Sequence, residues 1–498
     1  MTNSALTLID WVIVILYFFL IIRLGLKFSK RQKNTTRYFL ANRSLPGWAV
    51  GMSMFATIIS SWSFIALPGK AYQNDLQYLI TISTLLISAY LTAKFFIPLY
   101  RNKIKLSAYE FLEKRFGLPA RIYGNLTFLI IHFAKMGAIL YLLCMAISSM
   151  TGWNIYLLIC LIGMVTIVYT LIGGIEGVVW SDVIQGFLLL GGGVISLFYI
   201  LYGSSIGAEK IIEHSYDAGK LQLISSDFSW QSTGFYAFLF FGFNYFFQKY
   251  VSDQTVVQRF LLSPSQKEAG KALWFSSAII MFVWILFMGL GALLWSFYDL
   301  QPGLLPANVG TQPDQVFPYF IGHQLPQGIS GIILAGLMAA TMSTLSSDLN
   351  SLSAVLLEDY YIKICSKRSD EQHLIFSRFA VLIAGLLGII LAMAMTQIKS
   401  MADAAANFVA LLAGGILGIY LLGIFCKRCS HSAMYSGLII GISFIFWTFL
   451  GNQTDNEWMM APAINTLWIG LFGNIIVFVS GYLISRIFTP DYHVDDIR

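Results

Sequence analysis

The chain has 498 residues, of which 57% are hydrophobic and only 11% are charged, and its formal net charge is +6. Soluble proteins carry about 25% charged residues, so this composition excludes an ordinary soluble domain. Runs of about 20 apolar residues recur along the chain, and a run of that length crosses a bilayer as a helix. The sequence therefore predicts an all-α integral membrane protein.

Thirteen apolar segments follow one another, and each predicts one transmembrane helix. The predicted helices are 8–26, 47–67, 76–99, 123–150, 153–172, 178–202, 233–247, 272–298, 328–361, 373–395, 404–425, 433–450 and 462–487. The first segment has no basic residue before it, so it predicts a retained membrane helix and not a cleaved signal peptide.

Lysine and arginine are distributed unevenly between the predicted loops. If the N-terminus lies outside, only Lys210, Lys220 and Lys399 fall in outside loops, and most of the 31 basic residues fall in inside loops. This asymmetry is the positive-inside pattern of multi-pass proteins. It predicts a cell-membrane protein with an outside N-terminus and a cytoplasmic C-terminus, and it assigns the basic residues to loops and not to nucleic-acid binding.

The second predicted helix carries an unusual number of hydroxyl side chains. They are Ser53, Thr57, Ser60, Ser61 and Ser63. A serine in a membrane helix often bonds to the preceding turn or packs against a neighbour. So many within one helix also favour an unwound segment whose carbonyl groups face a cavity. Both interpretations stay open for each serine.

A carboxylate, Asp182, begins the otherwise apolar helix 178–202 within the polar stretch 173–186. A carboxylate in a membrane usually faces a cavity or a cation. An acid near a helix N-terminus is also favoured by the helix dipole. Position alone does not decide between a cation ligand and a helix cap.

The third polar cluster, residues 339–351, contains Ser343, Thr344, Ser346 and Ser347. Their spacing includes pairs three and four residues apart, which gathers hydroxyl groups on one face of a helix. Hydroxyl and carbonyl oxygens are hard ligands that suit hard cations. The cluster therefore indicates a cation site.

Taken together, these stretches resemble the sodium:solute symporter family over nearly the whole chain. The most specific matches are GGIEGVVWSDVIQG at 173–186, DQTVVQR at 253–259, the serine-rich 339–351, the loop 107–116 and the glycine-rich 414–423. The chain is most similar to the bacterial sialic acid transporter branch and more distantly to the sodium/glucose cotransporters. The resemblance implies a leucine-transporter-like fold, a five-plus-five inverted repeat with a leading helix 8–26, a first repeat 47–202, a second repeat 233–425 and trailing helices 433–487.

The resemblance also implies ligands for one or two sodium ions. The main sodium site would use the carbonyl groups of Ala56, Ile59 and Ala340 and the hydroxyl groups of Ser343 and Thr344. A second sodium site would use Asp182, Ser343, Ser346 and Ser347.

The substrate pocket matches the sialic acid branch less completely. Substrate-contact candidates are Ser60, Ser61, Ser63, Lys135, Asn244 and Gln248. The branch has an Arg where this chain has Lys135 and a Gln where it has Ile82, and Lys lacks the bidentate fork of Arg. Lys135 is therefore either a contact for a substrate carboxylate or part of an internal salt bridge. Asn244 and Gln248, on a helix expected to be broken, either line the pocket or bond between helices.

The predicted function is secondary active transport, the sodium-coupled symport of a small polar solute by alternating access. A sialic acid or a related sugar is the first expectation, and a neutral sugar, an amino acid or another monocarboxylate is the alternative. The six histidines do not form a catalytic cluster, so no enzyme is predicted, and no filter motif indicates a channel. A sensor would add a soluble domain. A functional monomer in the lipid bilayer is expected.

Overall fold

The computed structural model describes residues 6–224, 230–231, 233–365, 367–397, 414–453 and 464–488. Within these ranges the regular structure is helical and contains no β-strand. The helices are α1 (Leu8–Ser29), α2 (Thr35–Leu40), α3 (Gly47–Ile58), α4 (Ser61–Gln73), α5 (Ile80–Ser83), α6 (Leu85–Leu91), α7 (Ile97–Lys103), α8 (Glu110–Phe116), α9 (Leu118–Thr151), α10 (Ile155–Tyr202), α11 (Ala208–Asp217), α12 (Phe235–Ser252), α13 (Gln254–Leu262), α14 (Gln266–Asp299), α15 (Ala307–Gly310), α16 (Pro313–His323), α17 (Ile329–Val355), α18 (Ile362–Ile364), α19 (Asp370–Met395), α20 (Ile416–Phe425), α21 (His431–Gln453) and α22 (Thr466–Phe488).

Many of these helices are long enough to cross a bilayer. Among the described residues, nine helical segments pass this test of length and apolar composition, or up to ten if the bent pair α3–α4 is one span. Part of the predicted helix 404–425, the beginning of 462–487 and residues 489–498 lie outside the described ranges. The predicted number of thirteen helices therefore stays a prediction.

Helix α10 joins two of the predicted spans. Its 48 residues would extend about 72 Å if straight, more than twice the hydrocarbon thickness of about 30 Å. The helix instead bends at Gly174, where φ is 54° and ψ is −162°. Since this φ favours glycine, the sequence marks the bend, which lies between the predicted spans 153–172 and 178–202.

The second predicted span is broken, as its hydroxyl side chains indicated. The axes of α3 and α4 differ by 59°. Between them Ile59 has an extended backbone with φ −87° and ψ 124°, and Ser60 has φ −129° and ψ −175°. The predicted unwound segment is therefore confirmed.

The first of two compact units contains Met1–Leu79, Phe133–Leu223 and Leu261–Lys399. Nearly every residue of α17 is buried there, because α1, α3, α10 and α19 pack around it. Small residues allow this close approach. A Cβ atom on Gly336 would lie only 2.8 Å from the backbone oxygen of Leu188. The polar residues of α17 are thus held in a tightly packed environment.

The second unit contains Ile80–His132, Ile224–Phe260 and Ser400–Arg498. In it α22 packs against α12, α20 and α21, and α12 also packs against α5 and α6. Each unit contains segments from both predicted repeats. The division into a leading helix, two repeats and two trailing helices stays a prediction.

Candidate functional site

The end of α3 supplies carbonyl groups that other side chains reach. The last carbonyl groups of a helix have no donor within the helix. The extended backbone at Ile59 ends α3, so the carbonyl oxygens of Ala56, Thr57 and Ile59 are available to outside donors. All three residues are almost completely buried, so their oxygens must either accept hydrogen bonds from the protein or coordinate a bound ion.

Two hydroxyl groups of α17 meet these carbonyl oxygens. The Ser343 hydroxyl donates to the carbonyl oxygen of Ala56 at 2.8 Å and lies 3.1 Å from that of Ala340. The Thr344 hydroxyl lies 3.3 Å from the carbonyl oxygen of Ile59 and 3.2 Å from that of Ala340. The five oxygens expected at the main sodium site therefore lie in one buried cluster.

The spacing of this cluster suits a hard cation. Calcium, a hard cation, takes its oxygen ligands at roughly 2.3–2.6 Å. Ligands at right angles around such an ion are then roughly 3.2–3.7 Å apart. The distances from the Thr344 hydroxyl oxygen to its neighbouring carbonyl oxygens lie at the lower end of this range. The distances from the Ser343 hydroxyl oxygen are shorter because this hydroxyl donates a hydrogen bond to a carbonyl oxygen.

The carboxylate of Asp182 is buried inside α10. It lies two helical turns beyond the bend at Gly174, has no exposed surface, and accepts a hydrogen bond from the Ser53 hydroxyl at 2.6 Å. The interpretation of Asp182 as a helix cap is wrong, because a capping side chain lies at the helix end or in its first turn. The cation-ligand interpretation stays a prediction.

Hydroxyl groups connect Asp182 to α17. The Thr57 hydroxyl donates to the carbonyl oxygen of Ser53 at 2.7 Å and lies 2.9 Å from the Ser347 hydroxyl. Because the single Thr57 proton goes to Ser53, Ser347 donates to Thr57. Ser346 donates to the carbonyl oxygen of Ser343 at 3.0 Å. The residues expected at a second sodium site thus belong to one buried network with Ser53 and Thr57.

The three serine candidates for substrate contact differ in their surroundings. Ser61 is fully buried and donates to the carbonyl oxygen of Ile139 at 2.9 Å, which is the helix-packing interpretation. Ser60 precedes the first residue of α4 and makes no capping hydrogen bond. Ser63 lies within the first turn of α4. Ser60 and Ser63 remain the better candidates for a solute contact.

Lys135 has a specific acidic neighbour. Its ammonium group lies 2.8 Å from the carboxylate of Asp348, whose side chain has no exposed surface, while the Lys135 side chain is 24% exposed. This contact favours the internal salt bridge, one of the two interpretations of Lys135. The sequence had placed both charges in apolar spans, where a basic residue requires an anionic partner, but it did not pair them.

Asn244 and Gln248 lie in the unbroken part of α12. The expected break does not lie in the predicted span 233–247. The helix is interrupted beyond it, at Asp253 between α12 and α13, where φ is −87° and ψ is 116°. The oxygen of the Asn244 amide accepts a hydrogen bond from Asn474 of α22 at 3.0 Å, and the oxygen of Gln248 accepts one at 3.1 Å. Interhelical bonding is therefore observed for both residues, and a pocket role stays a prediction.

The residues that sequence reasoning missed are partners of predicted ones. They are Ser53, Thr57, Asp348 and Asn474. The first three stand in the polar stretches already noted, so composition gave a signal but no partner. Asn474 is a single amide in an apolar span, and nothing in its neighbourhood marks it.

Comparisons with known proteins agree with this architecture. The sequence profile of the sodium:solute symporter family matches residues 38–441. The sodium/sialic acid symporter NanT of Aliivibrio fischeri is 32% identical over 495 residues, which cover 98% of this chain and 95% of that protein. The sodium/glucose cotransporter of Vibrio parahaemolyticus is 28% identical over 474 residues, covering 90% and 86%.

A solved structure is also similar along nearly its whole length. It is the substrate-bound outward-open state of a Na⁺-coupled sialic acid symporter, with a TM-score of 0.91 and 31% sequence identity. The match covers 97% of this chain and 98% of that one. The predicted all-α membrane fold class is confirmed.

Proposed function

The chain belongs to the sodium:solute symporter family, and from this membership we propose that it imports a sialic acid or a closely related acidic sugar together with sodium. The family members are multi-pass membrane transporters and not enzymes. Sodium is the coupling ion and a small molecule is the substrate. Two relatives support the proposed substrate. The sequence is similar to that of a sodium/sialic acid symporter, and the fold is similar to the solved structure of a Na⁺-coupled sialic acid symporter.

The buried oxygen cluster between α3 and α17 is the observation that carries the proposal. We assign the main sodium site to the carbonyl oxygens of Ala56, Ile59 and Ala340 and the hydroxyl groups of Ser343 and Thr344. These are neutral hard ligands within a packed interior. Sodium binding here would pull α17 and the broken α3–α4 pair together, which is how an ion can favour one state of an alternating-access cycle.

A second sodium ion is proposed beside Asp182. Its ligands would be Asp182, Ser343, Ser346 and Ser347, with Ser53 and Thr57 orienting the carboxylate and the hydroxyl groups. Ser343 would touch both ions. Each monovalent ion that crosses 100 mV releases about 2.3 kcal/mol, so a second ion would roughly double the electrical driving force.

The remaining parts of the proposal concern topology and assembly. The N-terminus would lie outside and the C-terminus in the cytoplasm, as the distribution of basic residues indicates. A single chain would be the functional unit in the bilayer. Ser60 and Ser63 would contact the solute from the broken span, and Asn244 and Gln248 from α12.

A neutral sugar is the second candidate substrate. It is favoured by the ion pair between Lys135 and Asp348, because a lysine that already contacts a carboxylate is less able to bind the carboxylate of a substrate. Ile82, where the sialic acid branch has a Gln, also removes a polar contact.

Uptake into proteoliposomes tests both candidates. Purified protein is reconstituted, and uptake of N-acetylneuraminic acid and of neutral sugars is measured with an inward sodium gradient, with an equal potassium gradient and with no gradient. We expect accumulation of the acidic sugar in sodium only. Uptake of neutral sugars alone would favour the second candidate. Uptake that is equal in the sodium and potassium gradients would contradict the proposal.

A further inference from the structure

One amide side chain in α22 joins three helices of the second unit. Asn474 is only 3% exposed. Its oxygen accepts hydrogen bonds from the backbone N–H groups of Gly415 and Gly418, both at 3.0 Å. Its nitrogen lies 3.0 Å from the carbonyl oxygen of Gly470 and also faces α12. Asn474 therefore caps the N-terminus of α20 from a neighbouring helix.

These backbone contacts fix the orientation of the Asn474 amide. A backbone N–H can only donate, so the atom facing Gly415 and Gly418 must be the oxygen of Asn474. A backbone carbonyl can only accept, so the atom facing Gly470 must be the nitrogen. The oxygen and nitrogen of an amide are otherwise hard to tell apart, and here the main chain decides.

The orientation of Asn474 determines that of two further amides. Its nitrogen lies 3.0 Å from the oxygen of Asn244 and 3.1 Å from the oxygen of Gln248. That nitrogen has two protons for three neighbouring oxygens, that of Gly470 included, so one proton is shared between two acceptors. Because a donor nitrogen can face only acceptors, Asn244 and Gln248 present their oxygens to it. Their NH₂ groups therefore turn away from the nitrogen of Asn474, and the nitrogen of Asn244 lies beside Gly470, where an added Cβ atom would be 3.4 Å from it. Within the described part of the chain the two NH₂ groups donate to no other group.

Packing holds the three amides in place. Helix α22 packs on α12 and on α20, and the ring of Trp468 lies 5.0 Å from that of Trp230 and 5.7 Å from that of Phe240. Asn244 and Gln248 are four residues apart, so they share one face of α12. Both residues are half-buried, and the proposed function makes both of them contacts of the solute.

We propose that Asn474 is a specificity-determining residue, which orients Asn244 and Gln248 so that they offer only hydrogen-bond donors to the solute. Such a donor pair fits an acceptor group, above all a carboxylate, because hydrogen bonds to a charged group are the stronger ones. Neutral hydroxyl groups donate as well as accept, so they would not depend on this orientation. The inference rests on the proposed function and specifies its substrate class as acidic.

The substitution Asn474→Asp should make Asn244 and Gln248 present oxygens to the solute in place of NH₂ groups, and it changes the shape of the side chain little. The new carboxylate still accepts from Gly415 and Gly418, so the cap on α20 remains. Its second oxygen cannot donate, so the contact with the carbonyl oxygen of Gly470 is lost. Asn244 and Gln248 must then turn their NH₂ groups inward and their oxygens outward. The matched control is Asn465→Asp, which adds the same charge at the start of the same helix.

Three solutes separate hydrogen bonding from charge. They are N-acetylneuraminic acid, its methyl ester and N-acetylmannosamine, which lacks the carboxyl group. In sodium-driven uptake we expect Asn474→Asp to raise the KM for the acid at least 10-fold. The KM for the ester, a neutral acceptor, should rise several-fold, and the KM for the neutral sugar should stay within twofold. Asn465→Asp should change none of the three.

The outcomes distinguish this inference from the proposed function. If wild-type protein takes up none of the solutes with sodium, the proposed function fails. Two results with normal wild-type uptake would contradict the inference. In the first, Asn474→Asp raises the KM equally for all three solutes; in the second, it raises the KM for the charged acid alone. In either case Asn474 does not determine which way Asn244 and Gln248 point. Should Asn474→Asp fail to fold, Gln248→Glu is the second variant, because it replaces the outward NH₂ group of Gln248 by an oxygen. It should raise the KM for the acid and the ester and leave the KM for the neutral sugar unchanged.

Discussion

Lys135 and Asp348 form an ion pair with an N–O distance of 2.8 Å, and Asp348 has no exposed surface. Removing one member of a buried pair is costly, because it leaves the other charge in a medium of low dielectric. Lys135→Met should therefore destabilise the protein by about 3–5 kcal/mol. Thermal unfolding in detergent would measure this change, and Lys135→Met with Asp348→Asn should recover much of the lost stability.

The same variants decide whether Lys135 also binds the substrate. If its role is structural, the single variant loses uptake of acidic and neutral solutes equally, and the double variant regains both. If Lys135 contacts a substrate carboxylate, the double variant regains uptake of neutral solutes but not of acidic ones. Uptake of one acidic and one neutral sugar under the same sodium gradient makes the comparison.

Ser343→Ala tests the main sodium site. The hydroxyl contacts the carbonyl oxygens of Ala56 and Ala340, so its loss should remove one ligand and leave the helices packed. Hydrogen bonds to charged groups contribute about 1.5–3 kcal/mol, and loss of an ion ligand of similar strength lowers affinity about 10- to 100-fold. Sodium titration of the melting temperature and of uptake would show the shift.

Ser196→Ala is the matched control for this variant. Ser196 is also buried in a membrane helix, but its hydroxyl bonds to the carbonyl oxygen of Gly192 in its own helix and, among the described residues, to no other group. It should keep its sodium dependence. Unchanged sodium dependence in Ser343→Ala would remove that residue from the site.

Asp182→Asn tests the second sodium ion. The change keeps an acceptor for Ser53 but removes the negative charge, which a partly desolvated cation site needs. We expect the variant to keep its melting temperature without sodium, while its sodium Hill coefficient falls from near two towards one. The charge moved per substrate, measured by electrophysiology, should fall by one. A ratio that stays the same would restrict the protein to one coupled ion.

Asp314 of α16 predicts a pH dependence of stability outside the membrane spans. Burial raises the pKa of its carboxyl group above the ordinary 3.8, and the nearby Lys70 charge partly opposes the shift. The folded state thus holds this proton more tightly than the unfolded state, so its contribution to stability is lost as pH rises from about 3.8 through the raised pKa. Asp314→Asn should therefore raise the melting temperature at pH 7 and change it little at pH 4. A variant that is less stable at pH 7 would contradict this prediction.

The all-α membrane fold class could be predicted from the amino-acid sequence alone. Apolar runs and the uneven distribution of basic residues depend only on local composition, because each helix satisfies its own backbone hydrogen bonds in lipid. The hydroxyl face that carries Ser343 and Thr344 followed from helical periodicity, and the polar stretch around Ser60 indicated the break in its span. Such features need no knowledge of which helices are neighbours.

The partners of the buried polar groups could not be predicted, because they depend on which helices pack together. Lys135 and Asp348 are 213 residues apart, Ser53 and Asp182 are 129 apart, and Asn244 and Asn474 are 230 apart. No local pattern relates such residues, because their hydrogen bonds exist only after the helices pack. Nor could composition show which way an amide points, since its two ends differ only in donating or accepting, and the choice is made by the backbone groups of a neighbouring helix.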